Sequence, residues 1–579
     1  VTKANVVSDL SSREAHRGVE VARPSLAEPG ARPIVGRFVA WLWNLTDTQL
    51  ALVLSAALFA LAAWPVALTE VPPLQDLPNH LAAITVIEHP ARYTEFVFNG
   101  FFKTNAALFA WLYFVGHLVG LKLASRLFVL LVLAANALVL PRFVLALTGS
   151  RQRMVMATSL AWPFIHNWFV SMGMLDFALS VPLSLLSLLL LDRQRREWSW
   201  GRAGLIAVVA VATWYAHAFA LLVVHLLVAL HVLTGDVQRS SERATLRDRV
   251  REMRLFIPLF PSTMLVAWSL LAHATEASGA MYGYVNFSTF LPPWEAGYNL
   301  WAEWLWGFTK LSISSFVVAI VLAVIAFRKR SERPTFFGPW AFVTLLAMYA
   351  FAPYIATNWF HVSSRLIPYL WTFALLRVPA HLDRRLLGLL SLSAALYSVG
   401  MGIDYVRLDR DRAEFTAGMD AVPRGAHLLP LLFSRKLTSE NTRSLLHAWA
   451  YYVVEKETDA PLLFAHSSSF PVMYREPPPP RFNHLVLESF APSMKGPWIC
   501  DELRTGGVVV DCEKVWRDAW IDFWRDAEPR YDYVLLWDAT PAALALVPTA
   551  YTVKFRRDKL VIVGRDGGRE LGGASVTGR

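Results

Sequence analysis

The chain has 579 residues, of which 55% are hydrophobic and 17% charged, against about 25% charged in an ordinary soluble domain. The deficit falls between residues 49 and 403, where apolar runs approach the roughly 20 residues that a bilayer core requires; this excludes a soluble globular protein. The formal net charge of +10 does not point to nucleic acid, because the basic residues gather in short loops between apolar runs, as cytoplasmic loops do, and no aromatic-and-basic nucleic-acid module is present.

Residues 1–48 are polar and dotted with arginine, without an early apolar core. They read as a cytoplasmic segment rather than a cleaved signal peptide, with the first apolar run serving as the insertion signal. Spans are predicted over 49–69, 125–147, 154–170, 175–191, 202–217, 219–235, 255–275, 309–327, 336–356, 366–378 and 386–403, about eleven helices in all. Residues 106–120 are apolar but short and are predicted to form a re-entrant or interfacial helix. Residues 202–235 are predicted to split at Trp214-Tyr-Ala-His-Ala-Phe219. With these spans the basic connections at Arg151, Arg193–Arg196, Arg239–Arg254, Arg328–Arg333 and Arg377–Arg385 all share the cytoplasmic side with the N-terminal arginines, and the chain from 404 lies outside. The alternative, with 106–120 as a span and 202–235 as one helix, also leaves the C-terminus outside but moves Arg151 and Arg193–Arg196 there, which the charge rule disfavours.

The outer face then collects Glu70, Asp76 and His80 from Glu70-Val-Pro-Pro-Leu-Gln-Asp-Leu-Pro-Asn-His80, Asp176, His217, Glu276, Tyr282, Tyr284 and Glu295, and His361 with Arg365. The cytoplasmic loops hold nothing comparable; short and Arg-rich, they suit the anionic membrane lipids. From 404 to 567 the composition turns to Asp, Glu, Pro and Gly. An extracytoplasmic α/β domain is predicted there, with helices over 410–419 and 444–457. Strands are predicted over 462–465, 531–537, 551–556 and 560–563, the last two as a hairpin around Arg557–Asp558. Residues 568–579 are Gly-rich and read as a disordered tail. Cys500 and Cys512, on the oxidising side, read as a disulfide, with two buried free thiols as the alternative. No His or Cys pair at ligand spacing accompanies them.

The long membrane unit, the acidic first outer loop and the outer α/β domain together resemble the GT-C superfamily of integral membrane glycosyltransferases, over about residues 40–403. Asp76-Leu-Pro-Asn-His-Leu-Ala82, Asn167-Trp-Phe-Val-Ser-Met-Gly-Met-Leu-Asp-Phe177 and Tyr215-Ala-His-Ala-Phe219 are similar to runs of bacterial members. The resemblance implies a multi-pass protein of the cell membrane. It implies transfer of a hexosyl or pentosyl group from a polyprenyl-phosphate-linked donor to an envelope glycan, lipid or protein acceptor at the outer face. It also implies a catalytic Asp in the first loop, usually with an acidic partner; here the partner of Asp76 is Glu70 or His80. The competing reading is a non-catalytic membrane scaffold or polysaccharide-export partner whose outer domain binds a ligand.

Such a transfer needs a base for the acceptor hydroxyl, a cation for the departing phosphate and a dry groove for the lipid. Asp76 is the candidate base; with Pro78 favoured in a first helical turn, the alternative is a carboxylate that only caps that helix. His80 orients Asp76, shuttles its proton or ligates a metal, or is a plain interfacial His. Glu70 ends the first span, where the macrodipole disfavours negative charge, so a metal or an Arg is expected beside it. A divalent metal is compatible with these groups, but Glu70, Asp76, His80 and His217 show no diagnostic ligand spacing, and the sequence itself points to no required cofactor. Arg365 is the candidate phosphate ligand or a snorkelling interface Arg, with His361 beside it as a further substrate contact. His217 meets a phosphate or an acceptor hydroxyl, or is satisfied by a backbone carbonyl. Asp176 meets substrate or is an N-cap. Trp294, Trp301, Trp304 and Trp306 form a sugar-stacking wall or belong to the interfacial belt.

Overall fold

The computed structural model describes residues 41–42, 44–234, 246–275, 288–328, 335–356, 359–434, 440–465, 469–497 and 511–565. The segment to residue 40, Glu276, Tyr282, Tyr284, Cys500 and the tail 568–579 lie outside the described residues. Two compact units divide the chain, Val1–Leu50 and Ala51–Arg579. In the first, the Thr46 amide donates to Gln49 Oε1 at 2.9 Å and the Gln49 amide to Thr46 Oγ1 at 3.3 Å. This reciprocal capping box starts the helix Asp47–Ala63.

Every predicted apolar run is helical over most of its length. Among the described residues, five helices are long and apolar enough to cross a membrane: Asp47–Leu68, Leu121–Thr148, Leu175–Arg196, Trp200–Thr234 and Arg384–Ala421. The pair Arg247–Phe256 and Phe260–Leu271, bent by 65°, makes a sixth if taken as one span. Ala107–Val119, Lys310–Ala326 and Pro339–Phe351 are shorter apolar helices. The chain is thus a multi-pass helical membrane protein.

Trp200–Thr234 is not one straight rod. Its backbone leaves the helical region at His217, with φ −164° and ψ 118°. Straight, its 35 residues would reach about 50 Å. Instead both ends lie by the basic end of Leu175–Arg196: Arg202 donates to the Arg193 carbonyl at 3.2 Å. At the other end, His231 stands 3.8 Å from Glu252, two residues from Arg254, which donates to the Arg195 carbonyl at 3.4 Å. His217 touches Phe177, at the opposite end of that same helix. The segment therefore doubles back at His217, within the predicted break.

The last predicted span and the helix predicted over 410–419 are in fact one helix, Arg384–Phe415. No Pro interrupts Ile403–Arg410, so the helix continues from the apolar layer into the polar region.

The C-terminal region folds around a four-stranded sheet. Leu428–Leu432 runs parallel to Tyr533–Trp537, which is antiparallel to Leu560–Arg565, itself hairpinned to Tyr551–Arg557. Leu428–Leu432 was not predicted because Pro430 argues against a strand; it is tolerated because this strand is an edge of the sheet. Conversely Leu462–Ala465, predicted as a strand, is a turn. Its backbone instead meets the first-loop helix Leu77–Glu88: Asn79 Nδ2 donates to the Leu462 carbonyl at 3.0 Å and Asn79 Oδ1 accepts from the Phe464 amide at 3.1 Å.

The rest of the first loop is clamped to the same region. Phe96–Phe98 pairs antiparallel with Val472–Tyr474. Arg92 donates to Asp459 at 2.8 Å and to the carbonyls of Glu457 and Gly425 at 3.2 and 3.1 Å, and the Tyr93 hydroxyl donates to the Thr458 carbonyl at 3.0 Å. Charged hydrogen bonds of this kind contribute about 2 kcal/mol. Arg92→Ala is expected to lower the thermal midpoint and to expose residues 89–106 to limited proteolysis, while helical circular dichroism stays at the wild-type level; an unchanged cleavage pattern would show that the strand pairing alone holds the loop.

Candidate active site

Asp76 occupies the N-cap position of Leu77–Glu88, with Pro78 in the first turn, but its φ of −90° and ψ of −14° are helical and its side chain caps nothing. A capping carboxylate needs extended backbone at that residue, so the alternative role weighed for Asp76 is absent. The carboxylate is instead approached by Gln75 Nε2 at 3.2 Å and by His447 Nε2 at 3.4 Å.

A turn of the bundle fixes this position. Asn167 caps the short helix Trp168–Met172 by accepting from the Val170 amide, and Gly173 ends it at φ +84°. The Ser171 and Met172 carbonyls accept from the amides of Gln75 and Asp76 at 3.2 and 2.9 Å. A Cβ at Gly173 would lie 2.8 Å from the Asp76 nitrogen, so only glycine permits the approach.

His80 lies one turn on, buried, edge-on to Phe109 and Phe464 with ring centroids 4.9 and 6.0 Å away. Burial pushes its imidazole down to about 4; the Asp76 carboxylate pulls the other way, His447 adds to the lowering, and a backbone hydrogen bond to Gly173 opposes it. His447 is buried too. The Nδ1 atoms of His80 and His447 have no hydrogen-bond partner among the described residues. Asp76 is thus flanked by two histidines from different parts of the chain. His447 was not singled out from sequence: it sits in the apolar run Leu445-Leu-His-Ala-Trp449, with no motif spacing to mark it.

A second group forms around the turn Ser363–Leu366. Arg365 is buried, its guanidinium carbon 5.9 Å from the Phe177 ring and 5.7 Å from the Trp359 ring. Its Nε and Nη1 have no hydrogen-bond partner, and among the described residues no carboxylate pairs with it. Burial pushes it down to about 10, so it stays cationic at neutral pH. His217 shares its two aromatic neighbours, edge-on to Phe177 at 5.3 Å and Trp359 at 6.3 Å, and its Nδ1 accepts from the Phe219 amide at 3.2 Å. His361 takes a positive φ of 57°, places Nδ1 2.6 Å from the Tyr354 hydroxyl and 3.3 Å from Glu303, and packs edge-on to Trp168.

Glu303, which the sequence did not flag, anchors this group. The Tyr354 hydroxyl donates to its Oε1 at 2.6 Å and Ser364 donates to its Oε2. Burial raises its carboxyl, but the bonds from His361, Ser364 and Tyr354 outweigh that and hold it below the ordinary range. The acid fixes Ser364 and leaves its neighbour Arg365 without a counter-charge.

The remaining candidates lie elsewhere. Asp176 is buried and accepts from the Leu108 amide at 2.8 Å; it caps Ala107–Val119 rather than its own helix, whose N-cap is Met174. Glu70 is exposed and pairs with Lys122 at 3.2 Å, which also holds Glu455 at 3.0 Å; a lysine is therefore the cation beside it, and no contact joins it to Asp76. Trp301, Trp304 and Trp306 are buried, with Trp301 and Trp306 stacked on each other at 4.7 Å, so they form no open sugar-stacking wall. Among the described residues no three His, Cys, Asp or Glu group so as to hold a metal ion. Cys512 is disulfide-bonded.

Asp76 and Arg365 lie against one bracket, residues 167–177. Its Met172 carbonyl holds Asp76, its Phe177 ring faces Arg365, and its Trp168 packs on His361. The segment 441–447 runs alongside: the Asn441 carbonyl accepts from Trp168 Nε1 at 3.1 Å, and the Arg443 amide donates to Gln75 at 2.7 Å.

No family model and no curated protein matches the sequence. Among solved structures the chain is similar to ArnT from Cupriavidus metallidurans bound to undecaprenyl phosphate, at 13% identity over 94% of this chain and 100% of that one, with a TM-score of 0.49.

A histidine held neutral by burial gives the site a pH signature. The unfolded chain protonates His80 near 6.5 and the folded one only near 4. Between those values the unfolded state binds more protons, so stability falls as pH falls, by up to about 1.4 kcal/mol per unit. His80→Gln is expected to flatten the fall in thermal midpoint between pH 6.5 and 4; a slope equal to that of the wild type would mean that His80 titrates freely in the folded protein.

Proposed function

We propose that this chain is a GT-C-type glycosyltransferase that moves a sugar from a polyprenyl-phosphate carrier to an acceptor at the outer face of the membrane. The observation that carries this reading is Arg365: a buried guanidinium that, among the described residues, has two unpartnered nitrogens and no carboxylate beside it. A buried charge gains from an anionic partner, and a phosphate suits the planar fork of Arg. The Phe177 and Trp359 faces beside it favour a ligand that is apolar next to its phosphate.

In the reaction the acceptor hydroxyl oxygen attacks the anomeric carbon. The bond from that carbon to the phosphate oxygen breaks, and its electron pair leaves with polyprenyl phosphate. Asp76 takes the hydroxyl proton. His447, 3.4 Å from its carboxylate, orients it. Arg365 holds the charge that grows on the leaving phosphate, which a fixed group in a dry site does without reorganising. The C-terminal domain, through residues 441–465, presents the acceptor.

Two substitutions separate these roles. Arg365→Ala is expected to weaken binding of polyprenyl phosphate to the purified full chain by at least about 10-fold, given the roughly 1.5–3 kcal/mol of a charged hydrogen bond, with Arg365→Lys intermediate. Asp76→Asn is expected to bind the lipid normally and to release polyprenyl phosphate from polyprenyl-phosphate hexose or pentose donors at least about 100-fold more slowly, as general-base catalysis contributes. Undiminished binding by Arg365→Ala would remove the phosphate role. Turnover by Asp76→Asn at the wild-type rate would remove the base and favour a non-catalytic scaffold.

A further inference from the structure

Away from the Asp76 and Arg365 groups, a groove of about 530 Å³ lies between the end of the first span and the helix Arg384–Phe415. Its floor is the Trp64 ring laid on Gly402. A Cβ at Gly402 would stand 2.1 Å from that ring, and the indole N–H donates to Ser398 Oγ at 2.7 Å, so the ring is locked in place. The apolar walls are open: Leu68 is 45%, Val399 54% and Ile403 49% exposed.

One end of the groove is different in kind. Arg407 and Arg410 both line it, three residues apart on one helix face. Among the described residues neither has a carboxylate at ion-pair distance. Of the nearby acids, Asp409 pairs with Arg412 at 2.6 Å, Asp404 is buried, accepts from Thr309 at 2.7 Å and feels the charge of Arg407, and Asp411 makes no ion pair with either arginine among the described residues. Along this helix the apolar turn at Val399–Ile403 is followed directly by the charged turn at Arg407–Arg410. Chain-like apolar surface and paired cations thus come in the order in which a bilayer presents acyl chain and headgroup.

We propose that this groove binds one anionic phospholipid, its phosphate between Arg407 and Arg410 and an acyl chain along Trp64, Val399 and Ile403. The charge complementarity commits the occupant: a neutral lipid leaves both guanidiniums without a net counter-charge, and free phosphate leaves the locked aromatic floor uncovered. The site is separate from Arg365 and does not rest on the transferase reading. It lies where the first span ends, with Leu68 two residues before Glu70.

Native mass spectrometry tests it. The full chain, delipidated in detergent, is titrated with phosphatidylglycerol, with phosphatidylcholine, and with phosphatidylglycerol in the presence of excess inorganic phosphate. A phosphatidylglycerol adduct is expected at about 10-fold lower lipid concentration than a phosphatidylcholine adduct, unaffected by phosphate, since each basic residue near a membrane surface adds roughly a factor of five to anionic-lipid affinity. The double variant Arg407→Gln, Arg410→Gln is expected to lose that preference, while Arg407→Lys, Arg410→Lys keeps most of it. Ile403→Trp, at an exposed position, fills the trough with both cations in place and is expected to weaken phosphatidylglycerol as well; it decides the matter if the glutamine double variant does not fold. Equal adducts of the two lipids on the wild type, displacement by phosphate, or full binding to Ile403→Trp would each overturn the proposal.

Discussion

Gly173 approaches the first loop more closely than any side chain would allow. A Cβ there would sit 2.8 Å from the Asp76 nitrogen and 3.0 Å from that of Leu77, and the residue's φ of +84° is one that glycine adopts without cost. The contact is backbone on backbone, reinforced by the carbonyls of Ser171 and Met172, so Asp76 is placed by main-chain atoms and not by a flexible side chain. The same bracket ends in Trp168 and Phe177, which pack on His361 and Arg365. The relation between the acid and the buried cation is therefore set within a few residues of one bend. Positioning at that precision is what group transfer demands, because small misplacements of reacting groups cost large factors in rate.

Two arginines show how the surroundings decide what a charge does. Arg92 meets a carboxylate and two carbonyls, so its donors are used in holding the first loop to the C-terminal region. Arg365 is more deeply buried, yet among the described residues its Nε and Nη1 have no partner. The buried acid beside its turn, Glu303, is already engaged by Tyr354, Ser364 and His361. Folding alone would be served better by a neutral side chain at 365, since a charge without a partner in a dry site destabilises the protein by several kcal/mol. The arrangement makes sense when an anion completes it.

Much of the fold was legible in the sequence, because apolar run length and Arg-rich loops follow directly from the thickness and charge asymmetry of a bilayer. The break at His217 was legible from the same rule: one helix over 202–235, together with a span over 106–120, would put Arg151 and Arg193–Arg196 on the side that the charge rule disfavours. Asp76, His80 and Arg365 stood out as polar groups at the ends of apolar runs. His447 and Glu303 did not, since each is an isolated titratable group whose partners come from distant segments, and nothing in local spacing reports a long-range contact. Asp76 also shows the limit of local rules: Pro78 correctly marks a helix start, but the bracket at Gly173 imposes a helical φ and ψ on the N-cap and turns the carboxylate away from capping. The strand Leu428–Leu432 was hidden by Pro430, whose tolerance depends on its edge position, which is a property of the assembled sheet.

The pairing of Asp76 with His447 joins parts of the chain that sequence patterning separates, a loop after the first span and a turn beyond the last. The same C-terminal stretch reaches the first loop at Gln75 through the Arg443 amide and at Asn79 through Leu462 and Phe464. It reaches the bundle through Asn441, which donates to the carbonyls of Ala302, Trp306 and Gly307. Glu303 follows directly in that chain segment, so the acid that fixes Ser364 and the histidine that faces Asp76 are both supported by residues 441–447. Residues 441–447 are thus in direct contact with the surroundings of both Asp76 and Glu303.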